Sequence, residues 1–400
     1  MVEGVNTVKN GRWAELDHDL LNEIAMKLNY SYNDYIQARS VCREWKMALP
    51  KVPCLVLPFS EDNTLETYLA HRKIYHIRLP ELCGTKIRGS SYGWLICVGI
   101  DDTLQMIKPL NPKVHFFLPP LSTLPNVVSY HPDEIDNEYL LQEFGDNDIY
   151  SISRIHMQKS FQVQKVILSS PPDDNHQDFM AIVIFSSHSR LAFCRRDDTK
   201  WIDIPKSVET EDSYDYKDAI FHEGKIYAID FKGQLFEYHI KKGGIPIVSS
   251  RNVPPPPHFN SNRYPHYNEA YLIGCPEGDL VMVARNFNYY QAEEDAPDCY
   301  NSAKFDIYRI SSVDMKQWSK LFKLENGAIF IGLNSSTWMT NHTLPHGQRN
   351  KIYYTDNNLE HQYMEQMGGH DIGMLNLEEG TICRFFPNSY LLCPPPIWWL

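Results

Sequence analysis

His370 and Asp371, in the stretch "GGHD" (368–371), are the residues whose types come nearest to chemistry in this chain. An imidazole beside a carboxylate could ligate a divalent cation. The two preceding glycines and the strand-like "IGMLNL" that follows favour a plainer reading, a turn leading into a strand. Other constellations are missing. There is no Gly-rich phosphate loop ending in Lys-Ser or Lys-Thr, no Gly-x-Ser-x-Gly elbow and no His-Glu-x-x-His pair. The 16 histidines never fall at metal spacing with the nine cysteines, and no Cys-x-x-Cys occurs. The expectation is a protein with no catalytic residue, no cofactor and no metal site. Its thiols are read as reduced, small apolar residues of the nucleus or cytoplasm.

Composition narrows the partners. A net charge of -12 argues against nucleic acid or an anionic membrane, both of which need a basic face. No apolar run approaches the ~20 residues of a membrane span, and the opening "MVEGVNTVKN" lacks the apolar stretch of a secretion signal. Acidic runs such as "DDTK" and "EEDAPD" read as solvated loops. The 26 prolines, 24 tyrosines and 18 phenylalanines favour strands and turns over a helical bundle.

The elements divide the chain in three: a flexible 1–12, a helical module over 13–50 and a β-rich body over 51–400. In the module, Leu16, Leu20, Leu21, Ile24 and Leu28 recur in the rhythm of one helical face. Asp17 is placed to cap that helix. Tyr35 and Ile36 open a second segment, and Val41, Cys42, Trp45, Ala48 and Leu49 follow until Pro50 and Pro53 stop the helix. So short a segment cannot bury a core of its own. It must face either the rest of the chain, as a cap, or a partner.

From about Leu55, short apolar runs alternate with turn residues. Glu223-Gly224, Lys232-Gly233 and Gly278-Asp279 read as hairpin turns. Ala181 to Phe185 and Ile226 to Ile229 are apolar at consecutive positions, so both faces of those strands are expected to be buried. Five similar units are legible, near 90–120, 163–206, 216–250, 268–324 and 328–387. In two of them Trp201 and Trp318 mark the same element. A sixth unit is expected from residues 55–79 joined by the C-terminal tail. Radial repetition of this kind makes a β-propeller of about six blades; paired β-sandwiches are the alternative. Pro254 to Pro257 reads as a stiff link between blades, and Trp398 and Trp399 of "PPPIWW" are expected to pack against the body.

The residues also carry a resemblance. "ELDHDLLNEIAMKL" with "DYIQARSVCREWKMAL" resembles an F-box, with Asp17 where a proline is common. "PCLVLPF", "IRLPELCGTKIRGSSYGWLICV", "LNPKVHFFLPPLSTLP", "HEGKIYAID", "IFIGLNSS" and "NKIYYTDN", in that order, are similar to the plant family joining an F-box to the domain of unknown function 295, described as a kelch-like propeller. The resemblance implies a substrate-recognition subunit of a Skp adaptor–cullin–F-box ubiquitin ligase. Its partners would be a Skp-type adaptor, through it a cullin, and an unidentified target protein. The adaptor face implied comprises Leu16, Leu20, Leu21, Ile24, Leu28, Tyr35, Ile36, Val41, Cys42 and Trp45. A scaffold that binds the adaptor without a ligase role remains open. So does a propeller enzyme or small-ligand sensor with a helical cap.

Overall fold

The computed structural model describes residues 16, 20, 21, 24, 37–42, 45 and 49 of the leader. Beyond them it describes 53–57, 64–69, 74–78, 84–109, 111–143, 148–159, 162–172, 179–205, 215–239, 244–257, 259, 269–291, 298–311, 313–340, 344, 347–357, 371–385 and 396–400. The expected flexible residues 1–12 lie outside these.

The body is β throughout. Strands β1 (Cys54–Val56), β2 (Thr64–Leu69) and β3 (Ile74–Arg78) belong to sheet one. Sheet two holds β4 (Lys86–Ser91), β5 (Trp94–Val98), β6 (Leu104–Ile107) and β7 (His115–Leu118). A three-stranded sheet follows, of β8 (Val127–Tyr130), β9 (Tyr139–Gln142) and β10 (Ile149–Ile152). Sheet three holds β11 (Val163–Leu168), β12 (Met180–Phe185), β13 (Arg190–Arg195) and β14 (Ile202–Asp203). Sheet four holds β15 (Tyr216–His222), β16 (Lys225–Asp230), β17 (Leu235–His239) and β18 (Ile247–Val253). Sheet five holds β19 (Glu269–Gly274), β20 (Leu280–Gln291), β21 (Asp298–Ile310) and β22 (Ser319–Leu321). Sheet six holds β23 (Gly327–Ile331), β24 (Thr337–Thr340), β25 (Lys351–Tyr354), β26 (Gly373–Asn376) and β27 (Thr381–Arg384), in the order β24-β23-β25-β26-β27. The last strand, β28 (Ile397–Trp399), returns to pair antiparallel with β1, Leu55 opposite Trp398.

Six of these sheets form a ring, and the apolar clusters show the order. Leu55, Leu57 and Trp398 of sheet one pack with Ala328, Phe330 and Tyr353 of sheet six. Trp399 of the same sheet donates through its indole to Gly93 O of sheet two, at 2.7 Å. Sheets three and four share Ile182, Phe193, Ala219 and Ala228. Sheets four and five share Tyr227, Ile229, Leu272 and Met282, and sheets five and six share Ile273, Val283, Ile329 and Ile352. Between sheets two and three the first strands approach so closely that a Cβ on Gly89 would lie 2.4 Å from Val166 O. The three-stranded sheet is therefore an insertion beside the ring and not a seventh member of it. Each legible unit of the sequence falls on one ring sheet, and the 55–79 segment joins the tail as expected.

Local chemistry explains the boundaries. Glu223 and Gly224, at φ +47° and +75°, make the two-residue turn that sets His222 opposite Lys225. Lys232-Gly233 and Gly278-Asp279 also lie in hairpin turns, with Gly233 at φ +78° and Gly278 at +96°. All six residues of β12 are buried, as are Ile226 to Ile229, because each strand has a sheet on both faces. Trp201 and Trp318 are both buried just ahead of the outermost strand of their sheets. Pro254 to Pro257 span the link out of sheet four.

Candidate functional site

The leader's expected adaptor face divides into two kinds of position. Leu20 is 54% exposed and Val41 58%, so both present apolar surface to solvent. Leu21 is only 2% exposed and Trp45 8%, so both side chains are buried in this chain and not presented to a partner. Leu16, Ile24 and Cys42 are half-buried. Leu28, Tyr35 and Ile36 lie outside the described residues. The end of the leader is closed by its own bonds: Leu49 N donates to Trp45 O at 2.9 Å, and the Arg39 guanidinium donates to Leu49 O.

The centre of the ring is built from residues that no motif marked. The register of β11 shifts between Val163 and Lys165, and that of β15 between Tyr216 and Asp218. Such bulges re-aim the side chains that follow them. Here they bring Lys165 Nζ within 2.8 Å of Asp218 Oδ1, with both side chains buried. Asp218 Oδ2 accepts from Leu272 N at 3.0 Å and from Ser336 Oγ at 2.9 Å. Next to it, Ser335 N donates to Ser90 O at 2.8 Å, and Ser335 Oγ reaches Ser91 Oγ at 2.9 Å. Serines 335 and 336 thus touch sheets two and four, on different sides of the ring. That lays the turn of "IFIGLNSS" across its middle. Gly332 makes the turn possible: its φ is +144°, and a Cβ there would lie 1.9 Å from Thr355 Oγ1. At this level the chain's own turn bridges sheets two and four.

Asp371, read from the sequence as part of a turn leading into a strand, lies just ahead of β26. It is fully buried, and Oδ2 accepts from Arg285 Nη2 at 2.9 Å, Ser302 N at 2.7 Å and Ser302 Oγ at 2.6 Å. Burial alone would disfavour charge on Arg285, but Tyr271, Asp371 and Asp356 around it outweigh that and hold its pKa above the ordinary value. Asp356 in turn accepts from Tyr300 OH at 2.7 Å. This is an ion pair tying sheet five to sheet six. His370 lies outside the described residues. Among the described residues no three His, Cys, Asp or Glu converge as a metal site. An open depression of about 470 Å³ is lined by Lys323, Leu324, Glu325, Arg349, Asn350, Leu377 and Glu378. Its mixed charges and lack of a buried polar anchor do not define a ligand.

A ring of six radial sheets, locked by pairing its last strand with its first, defines a β-propeller. The chain belongs to the KIB1-4 beta-propeller family, whose model matches residues 64–376. It is similar to the F-box protein SKIP23 of Arabidopsis thaliana, at 24% identity over 96% of this chain and 95% of the relative. The F-box protein At2g26160 of the same plant is 23% identical over 86% of this chain and 96% of its own length. Among solved structures, the Cps50 (Swd1) beta-propeller domain of Myceliophteria thermophila aligns with a TM-score of 0.29 and 9% identity, covering 83% of this chain and 85% of that one. Together the family and the relatives support a plant F-box protein with a propeller.

Proposed function

We propose that this chain is the substrate-recognition subunit of a Skp adaptor–cullin–F-box ubiquitin ligase, acting in the nucleus, the cytoplasm or both. The leader, residues 13–50, would hold the adaptor. The propeller would hold a target protein and place its lysines near the charged ubiquitin carrier, so the subunit contributes proximity and no bond chemistry. The observation that carries this reading is the alignment with relatives named F-box proteins through the leader and the propeller alike. The exposed Leu20 and Val41 support it, since apolar side chains left outside a small helical module suit helix docking. The turn across the ring's centre favours recognition on the propeller's outer surfaces over a ligand in its channel.

A pull-down of the full chain with a Skp-type adaptor and a cullin tests this, beside Leu20→Asp combined with Val41→Asp. Burying two unpaired carboxylates costs several kcal/mol each, against about 8 kcal/mol for a micromolar interface. Recovery of adaptor and cullin by the wild type alone supports the ligase reading. Adaptor without cullin favours the scaffold, and recovery of neither returns the leader to a packed cap.

A further inference from the structure

We infer that β10, Ile149–Ile152, is a docking strand to which an extended, basic segment of a partner protein adds as a fourth strand of the inserted sheet. The inference rests on the target-receptor reading and names the chemistry of what is received.

The inserted sheet lies outside the ring and packs on it, with Tyr139 and Leu141 in one apolar cluster with Trp94 of sheet two and Val166 of sheet three. Sheets two and three meet without it at Gly89 and Val166, and it has three strands where every ring sheet has at least four. Its order is β10-β9-β8, so β10 is an edge. On one side β10 pairs with β9, from Ile149 opposite Gln142 to Ile152 opposite Tyr139. On the other side no described strand pairs with it. Ile149 is 54% exposed, Tyr150 is 38% exposed, and Ser151 is exposed beside them. Natural edge strands are blunted by shortness, lysine, proline or a bulge, and of these β10 has only its four-residue length. "IYSI" is rich in residues that favour strands.

Charge selects the occupant. From 114 to 153 the chain has seven Asp or Glu and no Lys or Arg. Glu138 and Glu143 are engaged internally: Glu138 Oε2 accepts from Arg154 N at 2.8 Å, and Glu143 Oε1 accepts from Tyr150 OH at 2.8 Å. Solvent-exposed carboxylates flank β10 at both ends. Asp148 precedes Ile149, while Asp133, Glu134 and Asp136 lie in the turn that Ser151 Oγ joins by a bond to Asn137 Oδ1, at 2.6 Å. Two copies of this edge would repel each other, whereas a segment carrying lysine or arginine is attracted. Arg154, the first cation after β10 in the chain, is already committed to Asp102, at 3.1 Å, and to the Tyr130 hydroxyl.

The edge is also held in place. Tyr139 OH donates to Asp102 Oδ2 at 2.7 Å, and Gln158 Nε2 donates to Asp102 Oδ1 at 2.6 Å, pinning β9 and the following helix Arg154–Lys159 to sheet two. A strand fixed beforehand loses less freedom when a partner pairs with it. Backbone pairing then supplies affinity, and alternate side chains supply selectivity.

The test is fluorescence anisotropy of the full chain with three short labelled peptides. One alternates lysine and valine, one alternates glutamate and valine, and one is the lysine peptide N-methylated at alternate amides. The lysine peptide should bind at least about tenfold tighter than either control. Ile149→Lys with Ser151→Lys should remove that binding while leaving the circular dichroism spectrum and adaptor capture unchanged. Equal binding of the N-methylated peptide, or none by the lysine peptide, overturns the inference. So does self-association of the wild type that the double variant abolishes, because the occupant would then be a second copy. Peptide pairing without adaptor capture would sink the ligase reading alone, and adaptor capture without pairing would sink only this one.

Discussion

Lys165 and Asp218 form a buried ion pair, 2.8 Å from Nζ to Oδ1, between the first strands of sheets three and four. The carboxylate also accepts from Ala219 N, Leu272 N and Ser336 Oγ, so one side chain links sheets three, four, five and six. A buried pair of this kind is weak evidence of net stabilisation, but breaking it from one side is costly. Lys165→Met should lower stability by about 3–5 kcal/mol, because a buried carboxylate loses its counter-charge. Adding Asp218→Asn should recover part of that loss: the charge goes, and the amide oxygen can still accept from Leu272 N. The readout is the midpoint of urea unfolding, and a double variant no more stable than Lys165→Met would contradict the account.

Alkali should destabilise the protein through its buried thiols. Burial pushes Cys97 up to about 12, against a hydrogen bond to Thr85 that lowers it, and pushes Cys275 up to about 12 as well. An ordinary thiol titrates near 9.0. The native state therefore holds these protons more tightly than the unfolded state does. Their contribution is fully present below pH 9 and is lost as pH rises from 9 towards 12. Burial raises Tyr271, Tyr353 and Tyr354 too, which adds loss of the same sign above pH 10. Urea midpoints should be flat from pH 7.5 to 9 and fall beyond. At pH 8, a thiol reagent should label the exposed Cys383 in the native protein and reach Cys97, Cys194 and Cys275 only after unfolding. A stability curve that stays level to pH 11 would exclude this.

Two adjacent leucines of the leader should separate binding from folding. Leu20→Ala removes an exposed side chain, so it should change stability by less than about 0.5 kcal/mol and still weaken adaptor capture. Leu21→Ala empties a buried site and should cost about 2–5 kcal/mol. Chemical unfolding followed at the leader, alongside the adaptor pull-down, separates the two. If both variants lose capture and stability alike, Leu20 is core and the docking face lies elsewhere.

The ring was legible in the sequence because its strands are buried on both faces, and runs such as "MAIVIF" stand out between Gly turns. Trp201 and Trp318 showed that units repeat because each fills the same position ahead of an outer strand. The inserted sheet was missed for the opposite reason. Its strands span only four residues each and are separated by "HPDEIDNE" and "EFGDND", which read as solvated loop. Lys165, Asp218 and Arg285 were also invisible. A single charge in a strand looks like an outward position, and only the sheet packed against it supplies the partner. Asp371 was noticed beside His370, but its partner is Arg285, 86 positions earlier in the chain.

Trp398 tests whether ring closure holds the propeller together. Its ring meets Phe330 at 5.2 Å, Tyr353 at 5.7 Å and Phe385 at 6.2 Å, all nearly perpendicular, an arrangement that adds to the area it buries. Its indole N–H, by contrast, is buried without an acceptor. Trp398→Ala should therefore cost about 3–5 kcal/mol, through the cavity left between sheets one and six. Trp398→Phe keeps an aromatic ring against the same neighbours and removes the unsatisfied donor, so its cost should stay below about 1.5 kcal/mol. If β28 is the lock, Trp398→Ala should also speed amide hydrogen exchange in β1 and β23 before it affects β12 or β16. Uniform acceleration across all six sheets would instead mean that the ring opens as one unit and that no single seam controls it.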